Sequence, residues 1–170
     1  SAFGLSATPV DIDRDGWLDI YVANDFIEPD NVYFNNRDGT FTDHFFDYFK
    51  HTSHFSMGTD ATDFNNDGLV DIIVVDMKSG DHVRYKELAN PMQYDKYNLM
   101  VQYGYGRQPG RNMLQLNCGN NTFIDIGQYA GVSATDWSWT PLMADFNNDG
   151  WKDIYITNGY RRDVTDIDYT

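Results

Sequence analysis

Asp63–Asp76 reads DFNNDGLVDIIVVD, and nearly the same string returns as DFNNDGWKDIYITN at Asp145–Asn158 and as DIDRDGWLDIYVAN at Asp11–Asn24. All three fit D-x-[DN]-x-D-G-x-x-D-I followed by an apolar run. Self-similarity of this kind governs every later reading, because a repeated unit buries its hydrophobic face against its neighbours and so sets the architecture. Asp11 and Asp63 stand 52 residues apart, Asp63 and Asp145 82.

A second pair of strings locates the extra 30 residues. NVYFNNRDGTFTD (Asn31–Asp43) aligns with MLQLNCGNNTFID (Met113–Asp125) at the longer offset, so the insertion lies between Asp76 and Asn112. That segment is rich in Tyr, Met and Lys, and it predicts helical stretches near His82–Ala89 and Tyr94–Gln102 on either side of Pro91. It reads as an excursion from a unit of about 52 residues.

Tyr21–Ala23, Ile72–Val75 and Ile154–Ile156 are short β-branched and aromatic runs, apolar on both faces, as expected of inner strands sandwiched between sheets. A further strand precedes each acidic loop, at Leu5–Val10, Ser56–Thr62 and Ser138–Ala144. VYFNN with TFTDH, and MLQLN with TFIDI, read as hairpins whose Gly and Asn residues supply the turn. Four short strands per unit is the pattern of a β-propeller blade. The expected fold class is therefore all-β: blades of four antiparallel strands, with a partly helical insertion in the second. The first blade is expected at 3–44, the second at 55–126 with its insertion at 77–111, and a half blade at 137–159, all within one propeller domain spanning 1–170. Propellers close with about four to eight blades, so about two and a half imply further blades in a longer chain or a partner that holds this one. The missing initiator Met and the start within a repeat point the same way.

The formal charge of −14 comes from 26 acidic against 12 basic residues, which disfavours nucleic acid and anionic membranes as partners. Ten of the acids fall in the three repeated loops, so a cation is expected there. No run of about 18 apolar residues suggests a transmembrane segment, and the start has neither the basic region nor the apolar core of a signal peptide. Cys118, the single cysteine, permits no internal disulfide.

Carboxylates at alternating positions of a tightly turned loop can converge on a hard divalent cation, which takes six to eight oxygen ligands. Positions 1, 3 and 5 are Asp11, Asp13 and Asp15; Asp63, Asn65 and Asp67; Asp145, Asn147 and Asp149. Position 6 is Gly16, Gly68 and Gly150, where the chain must turn sharply. Position 7 is Trp17, Leu69 and Trp151, whose backbone carbonyls are candidate ligands, and position 9 closes the set with Asp19, Asp71 and Asp153. Three copies in equivalent places favour metal cages over ordinary Asx turns. Calcium (Ca2+) at three sites is preferred to magnesium, which dehydrates reluctantly and avoids all-protein cages.

These loops resemble the FG-GAP/VCBS repeats of propellers like those of integrin α-subunits. The longer strings NDFIEPDNVYFNNRDGTFTD, HFSMGTDATDFNNDGLVDIIVVDM and TDWSWTPLMADFNNDGWKDIYITNGYRRDVTD resemble the ASPIC/UnbV, cartilage-acidic-protein-like group, in particular exported Bacteroidetes-type proteins. The resemblance covers nearly the whole chain. It implies a seven-bladed, calcium-stabilised propeller, an extracytoplasmic, secreted or cell-surface location, and a binding or scaffolding role without known catalysis. The Phe-Gly and Gly-Ala-Pro signatures of integrin repeats survive only as echoes at Phe3-Gly4 and Met57-Gly58, so integrin-type ligand recognition does not follow.

Other residues carry competing readings. Trp137, Trp139, Tyr94, Tyr97, Tyr103 and Tyr105 could stack sugar rings or a protein partner, or pack between blades and cover a propeller face. Arg107, Arg111, Arg161 and Arg162 are candidates to pair with the acids. His44, His51, His54 and His82 show no zinc-ligand spacing, and Cys118 sits at a hairpin position held by Asn36 in the first repeat. The leading reading is a non-enzymatic, calcium-binding propeller segment acting as an interaction, glycan-associated or outer-membrane-complex scaffold. The alternative is part of a propeller enzyme acting on polysaccharides, with its catalytic groups in the channel or in other blades.

Overall fold

Strand β1 (Phe3–Val10) runs into the first acidic loop and β2 (Asp19–Asp25) runs out of it, so the loop is the turn of an antiparallel hairpin in the computed structural model, which describes residues 2–87 and 94–159. β3 (Asn31–Asn35) and β4 (Phe41–Asp43) complete a four-stranded sheet in the order β1-β2-β3-β4. After a single helical turn, α1 (Phe45–Tyr48), the pattern repeats in β5 (Gly58–Thr62), β6 (Asp71–Val75), β7 (Met113–Asn117) and β8 (Phe123–Asp125). The insertion between β6 and β7 carries α2 (His82–Glu87) and α3 (Tyr94–Gln102), both where the sequence predicts helix; Leu88, Ala89 and Pro91 lie outside the described residues. β9 (Ser138–Ala144) and β10 (Asp153–Asn158) form a third, two-stranded antiparallel sheet.

The repeat extends to register. Val10 pairs with Asp19, Thr62 with Asp71 and Ala144 with Asp153, so in every copy the residue before position 1 lies opposite position 9. Tyr21 faces Val32 as Ile73 faces Leu114, and Tyr33 faces Asp43 as Gln115 faces Asp125. The blade architecture expected from the sequence is present, with both complete sheets built on one plan.

Alternation along β6 explains its uninterrupted apolar run. Ile72 and Val74 enter a core shared with the first sheet, where they meet Tyr21, Val32 and Phe34. Ile73 points the other way and packs with Leu114 and Met143, and with the half-buried Ile154 and Ile156 of the third sheet. Both faces of the central sheet are thus covered, which a period-two strand achieves only when every residue is apolar. The expectation that Ile154–Ile156 is equally enclosed is corrected: Ile154 and Ile156 face the central sheet, but Tyr155 points to the opposite face and is 59% exposed, because among the described residues no further sheet stacks on that face.

The segment between the first two sheets holds them together. Phe45 and Phe49 stack at 5.0 Å, and Phe49 stacks on Phe123 of β8 at 4.3 Å. The insertion is pinned at its far end, where the Gln108 side-chain amide donates to the carbonyls of Ile27 and Tyr105, both at 2.9 Å, and the Thr52 N–H donates to the Arg107 carbonyl. It therefore spans from the second blade back to the first.

Candidate metal centre

Each acidic loop is folded by its own carboxylates. In the first, Asp11 accepts the N–H groups of Asp15 and Gly16, both at 3.0 Å, Asp13 accepts a second bond from the Asp15 N–H, and Asp15 accepts the N–H of Trp17 at 2.8 Å. The second repeats these bonds with Asp63, Asn65 and Asp67 accepting from the N–H groups of Asp67, Gly68 and Leu69. In the third, Asp145, Asn147 and Asp149 accept from those of Asp149, Gly150 and Trp151. Position 4 is left-handed in all three, as Arg14 (φ 63°), Asn66 (φ 59°) and Asn148 (φ 61°), a conformation that Asn tolerates and most side chains avoid. Asn66 also links two loops, its side-chain amide donating to the Gly150 carbonyl at 2.8 Å.

Position 9 is built differently. Asp19 and Asp71 are buried, and each accepts one N–H from the start of its own loop and one from the third strand of its blade. Asp19 takes those of Ile12 (2.9 Å) and Asn35 (3.0 Å), and Asp71 those of Phe64 (3.0 Å) and Asn117 (2.8 Å). Asp153 accepts from Phe146 at 3.1 Å. These carboxylates bolt the loop to the sheet.

The chemistry of the donor set suits a hard cation. Asp11, Asp13 and Asp15 bring carboxylate oxygens within 4.8 Å of one another, a group that could hold a metal ion. Burial raises the carboxyls of Asp13, Asp19 and Asp71 above their ordinary range, while the Arg37 side chain lowers Asp15 and the Gly150 N–H lowers Asp145. Arg37 was not among the arginines singled out from sequence. It stands on the β3–β4 hairpin and donates from Nε (3.0 Å) and Nη2 (2.6 Å) to one oxygen of Asp15. Aligning the hairpins would have exposed it, since it is a cation opposite the one loop with an additional Asp.

The other candidates scatter. Arg111 and His51 both meet Asp125, His44 pairs with Asp47 at 2.8 Å, and buried His54 faces Gln108 at 3.3 Å. Arg107 is exposed, and Arg161 and Arg162 lie outside the described residues. Trp137 and Trp139 lie 6.5 Å apart, but Trp139 is 44% exposed rather than packed between blades, its indole N–H donating to the Gly159 carbonyl. Tyr94 and Tyr103 are exposed while Tyr97 and Tyr105 are half-buried.

Four-stranded antiparallel blades that each open on an acidic hairpin loop define a repeat of the propeller class. Residues 11–74 and 100–156 match the family model of the FG-GAP-like repeat, and the chain belongs to that family. No curated protein matches it. Among the described residues no helix is long and apolar enough to cross a membrane.

Proposed function

We propose that the chain is a calcium-binding segment of a β-propeller in an exported or cell-surface protein, where it serves as an interaction or scaffold module. Its blades are assigned to 3–44, 55–126 with the insertion 77–111, and 137–159. Its nearest partners are then further blades of a longer chain, in a protein of the ASPIC/UnbV, cartilage-acidic-protein-like group.

The observation that carries this reading is the threefold repetition of one loop with one hydrogen-bond plan and oxygen donors at positions 1, 3 and 5. Side chains at those positions and the carbonyls of Trp17, Leu69 and Trp151 would hold the ion, with Asp19, Asp71 and Asp153 completing or bracing each cage. When bound, calcium supplies positive charge that offsets the mutual repulsion of the carboxylates and so stabilises the turn. At a Kd of about 10⁻⁴ M and roughly millimolar calcium, each site adds about 1.4 kcal/mol to stability, a gain that vanishes at cytosolic calcium levels. Such loops therefore suit an extracytoplasmic protein.

Thermal melts in millimolar calcium and in chelator test the reading. A higher Tm in calcium is expected, together with a titration stoichiometry of three. An unchanged Tm with no heat of binding would overturn it.

A further inference from the structure

The first loop differs from the other two at a single ligand position, and the difference is compensated from outside the loop. In the second and third loops position 3 is an amide, and its Nδ2 donates to Oδ2 of position 5: Asn65 to Asp67 at 2.8 Å and Asn147 to Asp149 at 3.0 Å. In the first loop position 3 is Asp13, which as a carboxylate has no proton to donate. The corresponding oxygen, Asp15 Oδ2, receives Arg37 instead, from Nε at 3.0 Å and Nη2 at 2.6 Å.

Arg37 is held in place for this. The Asn35 N–H donates to Asp19 and its side-chain amide to the Leu18 carbonyl at 3.2 Å, which locks the hairpin against the loop. The Arg37 N–H then donates to the Asn35 side chain at 2.9 Å. Arg37 itself has φ 63°, where the second blade has Gly119 at φ 72°. Glycine takes that conformation freely and arginine does not, so the backbone alone gives no reason for an arginine here. Arg14 belongs to the same loop, but the guanidinium that the structure bonds to a cage carboxylate is that of Arg37.

We propose that Arg37 is a built-in counter-ion for Asp13, which supplies the missing donor to Asp15 and brings the first cage to the same charge as the other two, so that it selects a divalent over a trivalent cation. The inference rests on the calcium reading above. Four carboxylates with a bonded guanidinium carry the net charge of three carboxylates with an amide. Without the guanidinium the first cage has one more negative charge than its siblings, and ligand charge count tunes both affinity and preference for ionic charge.

The test uses the full chain with Trp151→Phe, so that terbium luminescence sensitised through a position-7 indole reports the first loop through Trp17. Calcium displacement then gives the terbium-to-calcium preference. Arg37→Gln is expected to raise that preference by about tenfold. Arg37→Lys, which keeps the charge, should stay within about threefold, and Arg37→Gln combined with Asp13→Asn, which rebuilds the arrangement of the second loop, should return within about twofold of the parent. A preference unchanged by Arg37→Gln, or raised equally by Arg37→Lys, overturns the inference while leaving the cages intact. Absence of a terbium signal in the parent overturns the cage reading and this inference with it.

Discussion

The backbone N–H of Asp76 donates to Oδ1 of Asn112 at 2.7 Å, and one blade earlier the N–H of Asn24 donates to Oδ1 of Asp30 at 2.9 Å. Asn24 and Asp76 are equivalent positions, as are Asp30 and Asn112, so the two blades make one bond with acid and amide exchanged. Each blade consequently buries one carboxylate against the segment that leads to the second blade. Asp30 accepts from the hydroxyls of Tyr21 (2.8 Å) and Ser56 (3.0 Å), and Asp76 from the Ser53 hydroxyl and the Phe55 N–H (3.1 Å).

Burial raises both carboxyls from 3.8 to about 6 in spite of these donors. Between those values the folded chain retains protons that the unfolded chain has released, so stability falls as pH rises through that window and is level above it. A shift of this size corresponds to about 3 kcal/mol for each group at neutral pH. Asp30→Asn copies Asn112 and removes one of them, so it should stabilise the chain by about 1–3 kcal/mol at pH 7.5 and have little effect at pH 4.5. Denaturant unfolding at the two pH values, in fixed calcium, decides the matter: an equal difference at both would mean that Asp30 does not titrate in this range.

Two carboxylates of one loop should differ in how far their loss depends on calcium. Asp71 is fully buried and satisfies the Phe64 and Asn117 N–H groups, so Asp71→Ala should cost about 3 kcal/mol even in chelator, with the calcium increment of its own site lost in addition. Asp67 is exposed and accepts the Leu69 N–H at 2.8 Å. Asp67→Ala should cost less than about 1 kcal/mol in chelator and forfeit a calcium increment of about 1.4 kcal/mol. Unfolding curves with and without calcium separate the two; a calcium response of undiminished size in Asp67→Ala would remove that residue from the cage.

The blade was legible because its determinants are local. The apolar run of β6, the glycines at position 6 and the hairpin strings each constrain their own few residues, and the offset between repeats exposes the insertion. What escaped depends on partners remote in the chain. Phe45-Phe46-Asp47-Tyr48-Phe49 has no clear period, and its helical turn is fixed by Phe123, far along the sequence. The role of position 9 was only half readable, since the spacing marks Asp19 and Asp71 as carboxylates of the loop while their bonds to Asn35 and Asn117 need the third strand in place. Arg37 meets Asp15 across a sheet, which no pattern within the loop announces.

Phe49 is fully buried between Phe45 and Phe123, and its N–H closes α1 on the Phe45 carbonyl at 2.8 Å. Phe49→Ala removes the ring that joins the linker to β8 and should cost about 3–5 kcal/mol. Phe46, next to Phe45 on the same turn, is 47% exposed, and its removal should cost less than about 1 kcal/mol. Comparable losses in chemical denaturation would show that the whole turn, rather than Phe49 alone, anchors the sheets.

Gly58 opens β5, and a Cβ there would overlap the backbone carbonyl oxygen of Trp139 on β9, with the Thr140 Cα and Pro141 Cδ each 3.3 Å away. Its φ is not left-handed, so the requirement for glycine comes from the approach of one sheet to the next and not from the turn of the chain. Backbone cannot move aside as a flexible side chain can, and the second and third sheets would have to separate. Gly58→Ala should therefore cost roughly 3 kcal/mol, whereas Gly110→Ala, with nothing within 4 Å of its added methyl group, should be neutral or slightly stabilising. Denaturant unfolding gives the two differences. Near-ultraviolet circular dichroism, which senses the Trp137 and Trp139 indoles, should change for Gly58→Ala alone; an unchanged spectrum with full stability would mean that these sheets tolerate a wider separation than their contact implies.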